Sequence, residues 1–260
     1  MTIDITPLIS GRVETFALLL VRVTTLLLVL PIFGNRVMPF RIRVLAGVAL
    51  AVALLPTVPV LPIARGAGAL EFALLVGREV LFGLVLGLIA SIGFFGVLFA
   101  GQVVGIQMGF GIVNVIDPQS DTQVAVTAEF QNLLFLLVFL TLDGHHLLIA
   151  ALVKTVERVP LGAFSLDGRM IDLVARQTGD VFAIALRVGA PIVAFLFVTS
   201  LALGIVAKTA PQLNVFNLGF PVQIVGGLVV MLLALPTLRV VFEELTLGME
   251  RNLLAAIAAR

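Results

Sequence analysis

Long apolar stretches, interrupted by few charges, follow one another along most of the chain. Residues 14–36 contain Arg22 as their only internal charge, and residues 44–64 contain none. A helix needs about 20 apolar residues to cross a bilayer core of about 30 Å, because each residue rises about 1.5 Å. We therefore predict a first helical hairpin, whose second helix ends early at three prolines: Pro56, Pro59 and Pro62.

The longest uncharged run covers residues 80–116 and is too long for one straight membrane helix. At about 1.5 Å per residue it would exceed the bilayer core nearly twofold, so we expect it to break. Four glycines place the break within residues 101–111, because glycine lowers helix propensity and permits a positive φ. Gly109, Phe110 and Gly111 are predicted to be non-helical. Gly101 and Gly105 have the spacing typical of a close helix crossing.

The pattern predicts two further helices and a second hairpin. Asp117 and Pro118 favour a helix start, since Asp caps free amides and Pro at the first position loses no hydrogen bond. This helix would end at Asp143 and Gly144, before a polar connection with one short helix at residues 154–180. A helix from residue 181 to 208 and a return helix at residues 218–238 would form the second hairpin.

Together these elements predict an all-α, polytopic membrane protein built from helical hairpins, with a broken helix and a Gly-rich loop near the middle. We predict one domain over residues 1–260, with hairpin-containing halves at about 1–142 and 143–238. The tail, residues 239–260, is predicted to be an amphipathic helix, because its apolar residues recur at helical spacing: Phe242, Leu245, Met249, Leu253 and Ile257.

Composition agrees with a lipid environment and excludes several classes of function. The chain is 60% hydrophobic and 12% charged, with a mean hydropathy of +1.21. A net charge of +1 without a basic stripe argues against nucleic acid as a partner, and the absence of cysteine excludes disulfides and thiolate chemistry. His145 and His146 are adjacent, unlike a zinc-binding pair, and are expected to end a helix and pack locally. We predict no catalytic site, no cofactor and no metal.

Six charged residues fall within or beside apolar segments: Glu14, Arg22, Arg78, Glu79, Glu129 and Arg187. Each would cost about 2.5 to 3.5 kcal/mol at the centre of a bilayer on insertion scales, so each needs a partner or water. One interpretation is a proton or ion relay. The favoured interpretation is a set of interhelical or intersubunit charge pairs.

The Gly-rich segment also presents apolar side chains without any charge. A flexible loop of this kind is typical of a soft hydrophobic constriction, which closes a pore by excluding water. The residues concerned are Met108, Phe110, Val113, Val115 and Ile116.

Four motifs in order resemble one known family. They are Gln-Met-Gly-Phe-Gly-Ile at 107–112, Asp-Pro-Gln-Ser at 117–120, Leu-Asp-Gly-His-His-Leu-Leu at 142–148, and Ala-Pro-Gln-Leu-Asn-Val-Phe at 210–216 with Gly-Phe-Pro at 219–221. The chain resembles the FliR family of flagellar export proteins, which is related to the T component of injectisome type III secretion. The resemblance extends from about residue 16 to 238.

The resemblance implies a place in a protein export gate. It implies one copy in a helical ring with FliP and FliQ, with FlhB and FlhA nearby, in the inner membrane at the flagellar basal body. Unfolded flagellar subunits would pass through the centre of the ring. It also implies that some apolar hairpins pack against protein as well as lipid.

The resemblance further implies that the loop around residues 108–121 projects into the pore as a plug. Phe110 would be the leading gate residue, and Gly109 and Gly111 would give hinge freedom. Asp117 and Pro118 would anchor the far end of the loop. The apolar seal would come from Met108, Ile112, Val113 and Ile116.

Other functions remain open from the residues alone. An injectisome export component is one alternative. A second is a secondary transporter that binds a small solute at the broken helix, with Glu129 as the coupling carboxylate. A purely structural scaffold is a third, and an intramembrane enzyme is the least favoured.

Overall fold

The computed structural model describes residues 6–30, 39–59, 68–110, 125–210, 212 and 215–258, and within these ranges it contains helices and no strand. The predicted all-α fold class is therefore confirmed. The described residues form seven α-helices, with a short 3-10 turn at Leu55–Thr57 after the second. They are α1 (Thr6–Val29), α2 (Phe40–Leu54), α3 (Ala69–Gln107), α4 (Val126–Thr141), α5 (Gly144–Arg158), α6 (Gly168–Thr209) and α7 (Val215–Ala258).

Among the described residues, four helices are long and apolar enough to cross a membrane. These are α2 with its 3-10 turn, α3, α6 and α7. The number is five if α4 and α5 are counted as one broken span. Helix α1 carries Arg12, Glu14 and Arg22 and is not one of the four. Its apolar face is instead buried within the protein, as the zero exposure of Leu18 and Leu19 shows.

The predicted position of the break in the long apolar run is confirmed, but the helix before the break is as long as the run that was expected to be too long. Helix α3 has 39 residues and continues through Gly101 and Gly105 before it ends at Gln107. Gly109 and Phe110 are non-helical, as expected, and Gly109 has φ +95°. Gly111 and the predicted helix start at Asp117 and Pro118 lie outside the described residues.

The prediction of one unbroken helix from Pro118 through Glu129 is wrong. Ala125 is extended, with φ −61° and ψ 140°, and α4 begins at the next residue. The backbone N–H of Ala125 donates to Oε1 of Gln102 on α3 at 2.9 Å, so this N–H is bound to α3 and not to a preceding helical turn. The predicted end at Asp143 is confirmed, because this residue has φ 55°.

The polar stretch before the second hairpin is more helical than predicted. Helix α6 begins at Gly168 and not at residue 181, although its end at Thr209 lies beside the predicted limit, Lys208. Asp167 starts the helix, because its Oδ1 accepts the N–H of Met170 at 2.9 Å. Polar residues in the first turns, such as Asp172 and Arg176, are exposed while Met170 is buried, so this polarity marks the solvated face of a helix.

Two other details differ from the expectation at helix ends. His145 and His146 do not terminate a helix but lie in the first turn of α5, with ring centroids 4.1 Å apart. The predicted tail helix is helical and buries Phe242, Leu253 and Ile257, but it continues α7 without interruption. The predicted turn residues Pro211 and Asn214 lie outside the described residues.

The chain forms two compact units made of interleaved segments. The first unit comprises Met1–Ser91, Gly144–Thr178 and Gly248–Arg260, and the second comprises Ile92–Asp143 and Gly179–Leu247. In the first unit Phe82 packs on Phe164, with ring centroids 4.8 Å apart. In the second unit Phe135 packs on Phe94 and Phe242. The predicted single domain, its two halves and the limits of the tail stay predictions.

Candidate functional site

The candidate site lies in the second unit, where α3 ends and the Gly-rich segment begins. The N–H of Phe110 donates to the carbonyl of Gly105 at 3.0 Å, and the N–H of Gly109 donates to that of Ile106 at 3.1 Å. These two bonds, with Gly109 at positive φ, form the Schellman pattern that closes a helix and satisfies its last carbonyls. The helix therefore ends by local chemistry at the first residues of the predicted plug.

Met108 and Phe110 differ in burial. Met108 has no exposed surface and belongs to an apolar cluster with residues of α3, α6 and α7: Val104, Ile192, Leu196 and Met231. Its side chain lies directly against the backbone of Gly227, where an added Cβ would come within 2.9 Å of the Met108 Cε. Phe110 is half-buried at the edge of this cluster. The ring of Phe220 covers Gly109, with its Cδ1 2.6 Å from an added Cβ.

The chain returns to α3 at Ala125, after residues outside the described ranges. Besides the bond from Ala125 to Gln102, the hydroxyl of Thr127 donates to the carbonyl of Gly101 at 2.8 Å. An added Cβ on Gly101 would collide with the backbone of Ala128, and one on Gly105 would lie 2.5 Å from the Cβ of Ala125. The predicted close crossing at Gly101 and Gly105 is therefore confirmed, and its partner is the start of α4.

A separate charged site lies in the first unit. Nε of Arg22 donates to Oε2 of Glu79 at 2.5 Å, and Nη2 donates to Oε1 at 3.0 Å. Both side chains have zero exposure. Nη1 of Arg22 also donates to the carbonyls of Thr155 and Val159, at 3.3 and 2.9 Å. The N–H of Gly162 donates to Oε1 of Glu79 at 2.5 Å.

The surroundings of this pair explain how two charges are buried. The carbonyls of Thr155 and Val159 lie at the C-terminal end of α5, where the helix dipole favours a cation. The guanidinium carbon of Arg22 also lies 4.8 Å from the ring centroid of Phe82, which is within the range of a cation–π interaction. Buried charges are tolerated when they are paired and hydrogen-bonded, and both conditions are met here.

Comparison with known proteins decides the family. Residues 13–249 match the model of a family described as bacterial export proteins, family 1. The chain belongs to the FliR family of bacterial export proteins. It is 36% identical to the flagellar biosynthetic protein FliR of Bacillus subtilis (strain 168), over 93% of this chain and 95% of that protein. It is 31% identical to the FliR of Escherichia coli (strain K12), over 87% and 86%, respectively.

The remaining predicted charges of this FliR-family chain lie in less buried places. Nη1 of Arg78 donates to the carbonyl of Gly162 at 3.1 Å. Nη2 of Arg187 lies 2.7 Å from Oε2 of Glu244 in an ion pair, although both side chains are more than half exposed. Glu14 and Glu129 are half-buried and form no salt bridge among the described residues. Glu129 lies in the first turn of α4, where a carboxylate favours the helix N-terminus.

Several residues of the site were not found by sequence reasoning. Gln102 and Thr127 look like ordinary polar residues, and no local pattern indicates that they meet. Gly227 gave a weak signal as one of two adjacent glycines in an apolar helix. Gln131 is fully buried in α4, and neither atom of its amide has a hydrogen-bond partner in the described part of the chain. Ile112, Val113 and Ile116 lie outside the described residues.

Proposed function

We propose that the chain is a core subunit of the flagellar protein export gate, where it forms part of the pore and supplies a hydrophobic plug. In this proposal one copy joins FliP and FliQ in a helical ring in the inner membrane, at the flagellar basal body. FlhB and FlhA lie nearby, and unfolded flagellar proteins are the cargo. Membership in the export family, together with relatives named as flagellar biosynthetic proteins, supports this assignment.

The observation that carries the plug proposal is the abrupt end of α3. A helix of 39 residues closes at Gly109, directly before an uncharged segment that contains Gly111, Ile112, Val113 and Ile116. Both flanks of residues 111–124 are fastened to α3, through Phe110 on one side and Ala125 on the other. An uncharged, apolar segment between two fixed flanks is suited to form a seal that keeps water and ions out.

The proposed mechanism is mechanical. In the closed state Phe110 and the apolar residues after it block ion flow through the pore. An unfolded cargo protein, driven by energy from elsewhere in the apparatus, displaces residues 111–124. Met108 stays in place, because it is buried among α3, α6 and α7. In this mechanism Met108 is a fixed support for the seal, and Phe110 is at its edge.

The other interpretations have less support. An ion relay through Arg22 and Glu79 would need access to water, but both side chains are fully enclosed. A solute transporter with Glu129 as the coupling carboxylate has no specific observation in its favour. The relatives of this chain carry the names of export and flagellar proteins.

The test compares two deletions of equal length within the same segment. Deleting residues 111–115 removes the apolar part and leaves Met108, Phe110 and Ala125 in place. Deleting residues 119–123 removes a polar part of the same length and serves as the matched control. Cells carrying each variant are measured for ion leakage and flagellar export, and assembly is checked by co-purification with FliP and FliQ.

We expect the complex to assemble with both deletions and the membrane to leak only with the first. If the first deletion assembles and the membrane stays tight, the plug assignment is wrong and a scaffold role takes its place. Equal leakage from both deletions would show that loop length matters and that the apolar residues do not. Solute uptake by vesicles that contain this protein alone would favour the transporter.

A further inference from the structure

The end of α3 and the N-terminal part of α7 interlock through two glycines of the second unit. Met108 lies in the space left by Gly227, where an added Cβ would come within 2.9 Å of the Met108 Cε. In the opposite direction Phe220 lies in the space left by Gly109, where an added Cβ would come within 2.6 Å of Cδ1 of the ring. Each element thus supplies one large side chain and one glycine, and the two contacts seat the end of α3 on α7.

The contact at Gly109 falls on the residue that turns the chain out of the helix. Gly109 has φ +95°, and the N–H of the next residue, Phe110, donates to the carbonyl of Gly105 at 3.0 Å. Glycine has more backbone freedom than any other residue, so its surroundings must select one conformation. The ring of Phe220 covers this glycine and leaves its backbone little room to move.

We propose that Phe220 is a positioning residue of the export gate, because its ring confines Gly109 to the left-handed conformation and so sets the direction of Phe110. The side chain of Phe110 packs at the edge of the apolar cluster around Met108. That place depends on the backbone conformation of the preceding glycine. The expected effect on ion leakage rests on the proposed function, whereas the contact itself is tested independently.

The first measurement is hydrogen exchange at the Phe110 amide in the purified, assembled complex. Phe220→Leu keeps an apolar side chain and removes the flat ring over Gly109. Phe220→Tyr keeps the ring and is the conservative rescue. We expect slow exchange in the parent and in Phe220→Tyr. In Phe220→Leu we expect exchange about fivefold faster or more, the size expected for loss of a typical hydrogen bond.

The second measurement is ion leakage in cells carrying the same variants, with Phe135→Leu as the matched control. Phe135 also packs against a glycine of α3 in the second unit, because its Cζ lies 3.2 Å from an added Cβ on Gly93. It is more deeply buried than Phe220, so its loss should destabilise the protein at least as much. We expect leakage with Phe220→Leu, and tight membranes with Phe220→Tyr and Phe135→Leu. Equal leakage from the two leucine variants would overturn the proposal, since any loss of packing would then open the membrane.

Phe110→Ala separates failure of this inference from failure of the proposed function. If Phe110→Ala leaks and Phe220→Leu stays tight, Phe110 belongs to the gate and the positioning role of Phe220 is wrong. If neither leaks and the Phe110 amide still exchanges faster in Phe220→Leu, the contact holds Gly109 but the proposed gate is wrong. Should Phe220→Leu fail to assemble, Phe220→Met takes its place. Fast exchange at Phe110 in the parent would overturn the proposal without any variant.

Discussion

Arg22 and Glu79 form a two-pronged ion pair that no solvent reaches, although 57 residues separate them in the chain. Their partners include the carbonyl of Val159, at the end of α5, and the N–H of Gly162, in the connection to α6. The pair therefore joins α1, α3 and this connection within the first unit. A buried charge network of this kind determines which partners fit the site, because an unmatched charge is strongly unfavourable there.

Removing one member of this pair should cost far more than removing both. Arg22→Met or Glu79→Leu alone leaves a buried charge without its counterion, and we expect a loss of about 3–5 kcal/mol in the free energy of unfolding. The double variant should be much closer to the parent. The measurement is the thermal unfolding of the purified complex, or its yield where a single variant does not assemble.

The matched control is the exposed pair of Arg187 and Glu244. Both of its side chains are more than half exposed, so Arg187→Met should change stability by only about 0–1 kcal/mol. A double variant of Arg22 and Glu79 that is as unstable as either single variant would contradict the argument from unpaired charge.

Two glycines in long helices should respond to alanine in opposite ways. Gly101→Ala would drive a methyl group into the backbone of Ala128, and a backbone cannot move aside without shifting α4. Gly204 has no atom within 4 Å of an added Cβ, so Gly204→Ala should stabilise α6 by about 0.5–1 kcal/mol through helix propensity alone. We expect the first variant to lower the unfolding temperature and the second to raise it slightly. Equal responses would show that α3 and α4 are less tightly packed than the structure indicates.

Substitutions at Met108 and at Phe110 should affect stability and ion leakage to different extents. Met108→Ala would leave a cavity in the apolar cluster and should cost about 2–5 kcal/mol, whereas Met108→Leu should cost less than about 1.5 kcal/mol. Phe110 is half-buried, so Phe110→Ala should lower stability less and increase ion leakage more. Leakage and unfolding temperature are measured on the same variants. If Phe110→Ala assembles without leakage, Phe110 is not the leading gate residue.

Gln131 should be replaceable by an apolar residue with a gain in stability. Its side chain is fully buried and both amide atoms lack hydrogen-bond partners in the described part of the chain. Leucine removes this penalty, and we expect Gln131→Leu to raise the unfolding temperature by an amount equivalent to about 1–3 kcal/mol. A lower unfolding temperature would indicate that the amide is bound in the assembled complex, by water or by a neighbouring subunit.

The sequence by itself determined the features that depend on local chemistry. The apolar runs predicted helices, the prolines after α2 ended it, and the glycines placed the end of α3 at the right residues. These predictions succeeded because backbone freedom at glycine, the fixed φ of proline and the need to bury apolar side chains act over a few neighbouring residues. The motifs at 107–112 and 142–148 also identified the family.

Tertiary structure decided the features that depend on distant partners. The N–H of the extended residue Ala125 is bound by Gln102, 23 residues earlier in the chain, and no local pattern predicts this contact. The pairing of Arg22 with Glu79 joins residues from two helices, so sequence alone could name both charges without matching them. Helix α6 begins early because its polar turns form the exposed face of a packed helix, and a polar stretch looks the same in sequence whether it is a loop or such a face.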